Sequence, residues 1–369
     1  MKKHHSNRSM FSGKLGFVLS AAGASVGLGN IWRFPYLAAK YGGGIFLLIY
    51  ILLALTFGYT MIVAETSLGR MTRKSPVGAY ASFTKSHTLK AGGWINAIIP
   101  ILIVPYYSVI GGWVIKYLFE YICGNGTKLA EDGYFSMFIS DGVSAEICFI
   151  VFALITLTII FAGVRNGIER VSKFMMPILV VLSVIIAIYS VTRPGALKGI
   201  QYFLVPNLEN FSWMTVVSAM GQMFYSLSIA MGILVTFGSY MKKETSIEDS
   251  TRNVEIFDTA IAIMAGLMII PAVFAFSSGD PNTLQAGPSL MFITIPKVFA
   301  SMGLGTVVGI LFFVLVLFAA VTSSIALTES AVSTFEDELH WNRKKSTVVI
   351  GIIMLVLGTL SSLGYGPLD

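Results

Sequence analysis

The sequence predicts an all-α protein that crosses a membrane many times, and three observations lead to this prediction. Of its 369 residues, 55% are hydrophobic and only 12% carry a charge, and the mean hydropathy is +0.78. Apolar runs of about 20 residues, which as helices cross roughly 30 Å of hydrocarbon, recur along the whole chain. Basic residues concentrate in alternate connections between these runs. A soluble globular protein has no use for such a pattern, so a polytopic membrane protein is predicted.

Nine membrane spans can be placed on the chain, and together they make one transmembrane domain over residues 1–369. Each has about the length that a helix needs to cross a bilayer. The predicted spans are 14–38, 43–68, 94–121, 143–161, 167–192, 215–240, 253–277, 304–334 and 345–363.

The charge of the chain follows this topology. The formal net charge is +6, and 18 of the 25 Lys and Arg residues fall in the N-terminal tail and in connections on the same side of the membrane. Basic residues accumulate on the cytoplasmic side of membrane proteins. The N-terminus is therefore predicted to be cytoplasmic, in a cell membrane. The basic residues do not indicate a surface for nucleic acid.

Glycine interrupts the first predicted span. Gly23, Gly27 and Gly29 lie within seven residues, and each costs about 1 kcal/mol relative to alanine inside a helix. An unwound turn between two half-helices is expected, and a membrane tolerates such backbone only where protein or a cavity surrounds it. The break thus predicts a binding site. The same glycines would also suit close helix packing, and the glycines alone do not distinguish the two.

A second interruption is predicted in the sixth span. Gly221, Gly232 and Gly238 bracket the polar run Tyr225-Ser226-Leu227-Ser228. Broken helices at corresponding positions of two groups of five spans are typical of secondary transporters with inverted repeats, which bind their substrate between the breaks. The pair of breaks therefore indicates a transporter, whereas either break alone is ambiguous.

Several polar groups lie within the predicted spans. Glu65 is near the inner end of the second span, where it could be buried for a function or could reach water. Tyr107 is at mid-depth in the third span, where its hydroxyl needs a partner in a cavity or on a neighbouring helix. Residues 319–324 form a hydroxyl-bearing patch that could line a site or only allow close packing. No nucleophile and base occur together at this depth, so an enzyme is not predicted.

Six motifs resemble the neurotransmitter:sodium symporter family, especially its bacterial amino-acid transporters. They are GLGNIWRFPY at 27–36, GGG at 42–44, GQMFYSLS at 221–228, AGPSLMFITIP at 286–296, TSSIALTES at 322–330 and FEDEL at 335–339. The resemblance implies twelve helices with two inverted repeats of five, in which helices 1 and 6 are discontinuous. The first repeat would cover about 14–192 and the second about 215–363. Helices 10–12 are absent from the nine spans, so the second repeat is incomplete.

Two hypotheses follow from the resemblance. The first is a transporter that imports a neutral, hydrophobic or aromatic amino acid with sodium by alternating access. The second is a non-transporting relative that binds substrate as a sensor, or a truncated remnant of the family.

The resemblance also implies, by position, two sodium sites. The first would use the carbonyl of Ser25, the side chains of Asn30 and Ser226, and the carboxylate of Asp258. The second would use the carbonyls of Gly23, Val26 and Ala319 with the hydroxyls of Thr322 and Ser323. Na⁺ is a hard cation, and both sets offer the oxygen ligands that hard cations prefer. Two Na⁺ are therefore the expected cofactors.

Chloride is not expected to take part. Many relatives have Asn at the position of Asp258 and bind chloride at positions that match Tyr50, Gln222, Ser226 and Ala262, the last of which is Ser in those relatives. The fixed charge of Asp258 would replace the anion, and Ala262 lacks the hydroxyl.

The family pattern further implies the substrate and the residues that bind it. Gly27 leaves room for the carboxylate of an amino acid beside sodium, whereas the amine carriers of the family have Asp there. The expected substrate-binding residues are Ala24, Ser25, Gly27, Leu28, Gly29, Ile103, Tyr107, Phe224, Tyr225, Ser226, Ser228, Met231, Ser323 and Leu327. Their apolar members predict a hydrophobic or aromatic side chain on the ligand.

Gates are implied on both sides of this site. The expected gate residues are Arg33 on the outer side, above Tyr107 and Phe224, and Arg8, Asp337, Tyr240 and Glu65 on the inner side. Arg8 would pair with Asp337, supported by Tyr240, and Glu65 would accept hydrogen bonds from amides that the break in span six frees. Ordinary surface ion pairs or helix caps would use the same residue types.

Overall fold

The computed structural model describes residues 9–83, 87–277 and 287–365, and helices make up its regular structure. The first segments are α1 (Lys14–Ser25), α2 (Gly29–Lys40), α3 (Gly44–Thr72), α4 (Pro76–Ala81), α5 (His87–Ile122), α6 (Gly126–Leu129), α7 (Tyr134–Ser140), α8 (Gly142–Phe161) and α9 (Val164–Val191). They are followed by α10 (Ala196–Leu204), α11 (Trp213–Ser226), α12 (Ile233–Ser239), α13 (Ile247–Phe276), α14 (Leu290–Ala300), α15 (Gly305–Glu338) and α16 (Arg343–Leu363). Within these ranges, strand-like pairing is limited to one antiparallel bridge between Gly43 and Pro206. The predicted all-α class is therefore confirmed.

Seven of the described helices are long and apolar enough to cross a bilayer, and α1 with α2 forms an eighth, bent segment. The seven are α3, α5, α8, α9, α13, α15 and α16. Their ends differ from the predicted spans by a few residues, and the largest shift is in α5, which begins at His87 rather than at residue 94. The predicted span 215–240 is formed by α11 and α12, which have 14 and 7 residues and are each too short to cross. By helix length, the described residues thus contain seven spans, or eight with the bent pair, and the ninth predicted span stays a prediction.

Helix α15 lies at the centre of the bundle. In its most apolar stretch 72% of the residues are buried, compared with 61% in α5 and α13 and 39% in α3, α8, α9 and α16. Helix α1 packs against α9, α13 and α15. The outer helices expose large apolar side chains such as Leu154, Val181 and Ile352, which suits contact with lipid chains of similar polarity. The polar residues of α1, α13 and α15 are thereby shielded from lipid.

The start of α1 is attached to the start of α9. The buried carboxylate of Glu169 accepts a 2.8 Å hydrogen bond from the backbone N–H of Ser12 and a second bond from the Ser12 hydroxyl. Lys173 Nζ lies 2.6 Å from Glu169 Oε1 and compensates the charge. A side chain at Gly16 would clash with this carboxylate, so glycine there leaves the space that Glu169 needs to reach Ser12.

Candidate functional site

The first break lies between α1 and α2. Helix α1 ends at Ser25, Val26 is extended with φ −75° and ψ 93°, and α2 begins with a π-helical turn at Gly29–Arg33. The axes of the two helices differ by 53°. Because the turn leaves the helical hydrogen-bond pattern, carbonyl groups at the end of α1 become available to other partners. The predicted interruption is therefore present, and its extended residue is Val26 rather than a glycine.

The second break separates α11 from α12. Ser228 and Ala230 have positive φ angles of 55° and 62°, and Gly232 has a φ of 70°. Left-handed backbone is uncommon outside glycine and stores strain unless its surroundings hold it. Glu65 of α3 holds this turn, because its Oε1 accepts a 2.8 Å hydrogen bond from the backbone N–H of Ala230. The contact expected between Glu65 and an amide freed by the break is thus observed.

A buried carboxylate lies beside the first break. Asp258 of α13 is fully buried and accepts hydrogen bonds from Asn30 Nδ2 at 2.8 Å, from Ser226 Oγ at 2.8 Å and from the Tyr50 hydroxyl at 3.1 Å. Asn30 Nδ2 also donates to Ser226 Oγ at 2.9 Å. Three of the residues predicted for the first sodium site are therefore in direct contact, and the fourth, Ser25, lines the adjacent cavity.

The chemistry of this cluster fits a small cation. A buried carboxylate needs compensation of its charge, which hydrogen-bond donors supply in part and which a monovalent cation would supply as well. The Asn30 amide presents Nδ2 to Asp258, while its Oδ1 accepts a 3.2 Å hydrogen bond from the backbone N–H of Gly27. The cluster offers hydroxyl and carboxylate oxygens to a hard cation, and rotation of the Asn30 amide by 180°, which would give up the bond from the Gly27 N–H, would add an amide oxygen.

A second group of oxygen atoms lies where α15 passes the end of α1. Ser323 Oγ is 3.2 Å from the carbonyl oxygens of Gly23 and Ala24 and 3.3 Å from that of Val26. A hydroxyl has only one hydrogen to donate, so these three carbonyls compete for it. Their partial negative charges converge on one point and suit a second small cation.

Thr322 is the other hydroxyl predicted for this second group. Its Oγ1 donates within α15 and lies 2.9 Å from the carbonyl oxygen of Phe318 and 3.2 Å from that of Ala319. The Thr322 Cβ lies close to the end of α1, because a Cβ atom built on Gly23 would be 3.1 Å from it. The structure thus brings together all five residues predicted for the second sodium site, and glycine at position 23 permits the close approach of α1 and α15.

A cavity lies between the two breaks. It is lined by Ala24, Ser25, Gly27, Leu28, Gly29, Asn30, Ile103, Tyr107, Tyr225, Ser226, Ser228, Met231, Ile233, Ser323 and Leu327. None of these lining residues carries a charge. Every predicted substrate residue except Phe224 is among them.

The polar end of the cavity is formed around Gly27. The Tyr107 hydroxyl accepts a 3.2 Å hydrogen bond from the backbone N–H of Leu28. A Cβ at Gly27 would lie 2.6 Å from Ser323 Oγ and 3.1 Å from the Tyr107 hydroxyl, so a side chain there would force its neighbours to move. Gly29 and Asn30, the first residues of α2, line this end of the cavity, and the positive end of a helix dipole favours a negatively charged ligand group.

Phe224 was expected at the outer gate, but the structure places it elsewhere. Its ring packs against Phe57 of α3, with the ring centroids 5.7 Å apart. The neighbouring Tyr225 lies at the cavity instead, and the Arg33 guanidinium is 5.0 Å from the centroid of its ring. Phe224 is not among the residues that line the cavity, whereas the next two residues of the helix, Tyr225 and Ser226, are. Tyr225, with Arg33 beside its ring, therefore borders the cavity where Phe224 was expected.

Ile233 is a lining residue that sequence reasoning missed. It is the first residue of α12 and follows the left-handed Gly232 directly. An apolar residue immediately after a helix break is the signal that could have indicated it.

The predicted inner gate lies only partly within the described chain. Arg8 is outside it. Asp337 Oδ2 accepts a 2.6 Å hydrogen bond from the backbone N–H of Ser75. Tyr240, expected to support Arg8 and Asp337, donates a 2.6 Å hydrogen bond to Glu329 Oε1. This contact gives Tyr240 a partner that the sequence did not indicate.

Glu329 and Arg343 form a buried ion pair that sequence reasoning also missed. Glu329 is fully buried in α15, and the two terminal nitrogens of Arg343 lie 3.0 and 2.6 Å from its carboxylate oxygens. Arg343 also donates to the carbonyl of Ile160 at the end of α8, at 2.9 Å. With Tyr240, the pair therefore joins α8, α12, α15 and α16. A glutamate within an apolar span was the available signal.

Taken together, the fold and the site define a membrane protein that holds a cavity between two broken helices, beside two clusters of oxygen atoms. The family model described as "Sodium:neurotransmitter symporter family" matches residues 8–127 and 136–366. The chain therefore belongs to the sodium:neurotransmitter symporter family, whose members are transporters.

Individual relatives agree with this assignment. The sodium-dependent transporter YhdH of Bacillus subtilis is 35% identical over 362 residues, which are 97% of this chain and 79% of that protein. A sodium-dependent transporter of Haemophilus influenzae is 32% identical over 377 residues, covering 98% of this chain and 81% of that protein. The crystal structure of MhsT in complex with L-phenylalanine is similar with a TM-score of 0.88 and 37% identity, covering 97% of this chain and 81% of that one.

Proposed function

We propose that this protein imports a neutral amino acid with a hydrophobic or aromatic side chain, driven by two sodium ions. The observation that carries the proposal is the uncharged cavity between the two helix breaks, with the Asp258 cluster beside its polar end. An amino acid brings its own carboxylate and ammonium groups, so it needs polar contacts only at that end.

The first sodium ion would lie between Asp258 and the end of α1. Its ligands would be the carbonyl of Ser25 and the side chains of Asn30, Ser226 and Asp258. The mutual contacts of 2.8–2.9 Å among the last three side chains support this placement, because one ion can reach all of them.

The second sodium ion would lie where Ser323 meets the carbonyls of Gly23 and Val26. Thr322 and the carbonyl of Ala319, one turn earlier on α15, would complete its ligands. All of these ligands are neutral, so the second ion would be held by partial charges alone, whereas the first has a full negative charge beside it.

The substrate carboxylate would lie near the first ion. The Tyr107 hydroxyl and the backbone N–H groups at Leu28 and Gly29 would bind it, and the missing side chain of Gly27 provides the space. The substrate ammonium would contact carbonyls near Ala24 and Tyr225. This arrangement selects an α-amino acid rather than an amine without a carboxylate.

The side chain of the substrate would occupy the apolar end of the cavity. Ile103, Met231, Ile233 and Leu327 supply most of its apolar surface, and Ser228 adds a hydroxyl. Because the lining residues carry no charge, an acidic or basic side chain would lose its hydration without gaining a partner. The similarity to MhsT, whose crystal structure is a complex with L-phenylalanine, supports a hydrophobic or aromatic ligand.

Chloride would not be required. Asp258 already provides a negative charge next to Tyr50, Ser226 and the first ion site. The buried Ala262 on the same helix has no hydroxyl to bind an anion. An added chloride ion in this place would be repelled by the carboxylate.

Transport would follow from the movement of half-helices around a fixed site. The two repeats, 14–192 and 215–363, would form one transmembrane domain, with α11 and α12 acting as a ninth, broken span. Turns 26–28 and 227–232 are the non-helical segments that such movement would use. The chain would lie in the cell membrane with its N-terminus in the cytoplasm, in accordance with the distribution of basic residues.

Sodium coupling supplies enough free energy for accumulation. At about 100 mV, each inward Na⁺ gains roughly 2.3 kcal/mol from the membrane potential. A tenfold sodium gradient adds about 1.4 kcal/mol for each ion. Two ions therefore provide about 7 kcal/mol, which corresponds to a roughly 10⁵-fold accumulation of a neutral zwitterion.

Uptake by the purified protein in proteoliposomes tests the proposal. With an inward Na⁺ gradient, labelled L-phenylalanine should accumulate, and unlabelled leucine or tryptophan should compete more strongly than glutamate or lysine. Ser323→Ala should reduce uptake, because it removes the hydroxyl that contacts three carbonyls. Ser183→Ala is the matched control, since the Ser183 hydroxyl is buried in α9 and donates only to the carbonyl of Leu179 in its own helix.

Two outcomes would contradict the proposal. Uptake that is equal in Na⁺ and K⁺ would exclude sodium coupling. Sodium-dependent binding without accumulation would exclude transport and would leave a substrate-binding relative as the function.

A further inference from the structure

A second, larger cavity lies on the outside of the bundle, between the starts of α1 and α13. We call it the outer groove; it is lined by Lys14, Leu15, Val18, Leu19, Asn253, Ile256 and Phe257. Leu15 and Ile256 at its edges are 61% and 53% exposed, so the groove opens to the surroundings of the protein. It is separate from the central cavity, with which it shares no lining residue.

One end of the outer groove is polar and carries both signs of charge. Lys14 Nζ lies 3.9 Å from Asp249 Oδ2, and about half of each side chain is exposed. Asp249 is one helical turn before Asn253, so both lie on the same face of α13. On the same stretch of α13, Arg252 Nη2 lies 3.4 Å from Glu248 Oε1. The rim therefore presents one cation, one anion and an amide to a ligand.

The other end is apolar and points along the two helices. Lys14 to Leu19 and Asn253 to Phe257 correspond to about 6–8 Å of helix at 1.5 Å per residue. Both helices begin at the same end of the molecule, because the Phe11 N–H donates to the Tyr240 carbonyl at 3.1 Å and Lys242 Nζ donates to the Ser12 carbonyl at 2.7 Å. The groove thus runs from the boundary of the apolar spans toward their interior.

We infer that the outer groove binds one phospholipid with a phosphoethanolamine headgroup. The lipid phosphate would contact Lys14, its ammonium would contact Asp249, and the first part of an acyl chain would cover Leu15, Val18 and Ile256. An anionic headgroup such as that of phosphatidylglycerol has no ammonium group, so nothing in the lipid would compensate the negative charge of the Asp249 carboxylate. A choline headgroup has no N–H to donate to the carboxylate. This site goes beyond the proposed function, because it lies outside the transport cavity.

Native mass spectrometry of the full chain with an equimolar mixture of phosphatidylethanolamine, phosphatidylglycerol and phosphatidylcholine of identical acyl chains tests the inference. The unchanged protein should retain one phosphatidylethanolamine in about fivefold to tenfold preference over the other two lipids. Asp249→Lys should reverse this preference toward phosphatidylglycerol. Glu248→Lys is the matched control, because it makes the same charge change one residue away and outside the groove. Asp249→Asn should lose the preference for phosphatidylethanolamine over phosphatidylcholine.

The apolar part of the groove is tested separately. Leu15→Trp should fill the groove and reduce lipid retention about tenfold, whereas Val181→Trp on the exposed face of α9 should not. Equal retention of the three lipids by the unchanged protein would overturn the inference. So would an equal effect of Glu248→Lys and Asp249→Lys, or full retention by Leu15→Trp. Absence of retained lipid would also overturn it and would leave the groove to another occupant, such as a second copy of the chain.

Discussion

Replacement of Asp258 by asparagine tests the electrostatic basis of the proposed sodium site. The carboxylate is buried and is in hydrogen-bond contact with Asn30, Ser226 and Tyr50. Two unit charges about 4 Å apart interact by roughly 4 kcal/mol at an effective dielectric constant of about 20. Asparagine keeps one oxygen ligand, and the variant no longer has to bury a charged group. The desolvation cost that it avoids offsets part of the lost attraction between the carboxylate and Na⁺. We therefore expect a net loss of about 1.4–2.8 kcal/mol, or 10-fold to 100-fold weaker activation by Na⁺.

The assay is the Na⁺ dependence of L-phenylalanine uptake in proteoliposomes, measured in gluconate and in chloride buffers. The unchanged protein should show the same Na⁺ dependence of uptake in the gluconate and chloride buffers. Asp258→Asn should need more Na⁺ in gluconate, and chloride should restore its affinity more fully when Ala262→Ser is added. Glu255→Gln is the control, because Glu255 is also a buried carboxylate of α13 and lies one turn before Asp258. An Asp258→Asn variant with unchanged Na⁺ dependence in gluconate would refute the reasoning.

Three further predictions concern single contacts. Gly27→Asp should reduce amino-acid uptake about 100-fold with little change in melting temperature, since the new side chain occupies the place of the carboxylate; competition binding measures this, and normal affinity would argue against the assigned pose. Arg343→Met should destabilise the protein by about 3–5 kcal/mol, because it leaves a buried charge unpaired. The double variant Arg343→Met with Glu329→Gln should recover much of that loss in thermal unfolding, and strictly additive effects would contradict this explanation. Glu65→Gln should weaken the contact with the Ala230 amide by about 1–2 kcal/mol and speed hydrogen exchange of the amides at 227–232, an effect that Glu248→Gln should not share.

The first break was predictable because its cause is local. Gly23, Gly27 and Gly29 disfavour a continuous helix whatever surrounds them, and α1 ends within this run, at Ser25. The structure adds a reason for two of these glycines. Side chains at Gly27 and Gly29 would meet Ser323 and Tyr225, respectively, and neither neighbour can be recognised from the glycine itself.

The second break shows where local reasoning ends. Of the three glycines that bracket it, Gly232 has the left-handed backbone, whereas Gly238 lies inside α12 and allows close packing against Thr66. The other left-handed residues are Ser228 and Ala230, which local propensity does not favour there. Tertiary contacts such as the one from Glu65 stabilise their conformation, and a sequence pattern does not display such contacts.

Pairings over long distances in the sequence were the least predictable part of the site. Position within a motif did not distinguish Phe224 from Tyr225, because the choice depends on how α11 is rotated against α3. The pair of Glu329 and Arg343 joins the centre of the bundle to a connection that the sequence marks only as basic. This pair can be predicted only if it is known that the start of α16 lies beside Glu329 of α15.

The Ser323 hydroxyl has a thermodynamic consequence for the proposed transport cycle. It contacts the carbonyls assigned to the second sodium ion and also borders the amino-acid cavity beside Gly27. In the proposed cycle, occupancy of either place would therefore be transmitted to the other through this one side chain. Because linkage is reciprocal, the factor by which sodium raises the affinity for the amino acid must equal the factor by which the amino acid raises the affinity for sodium.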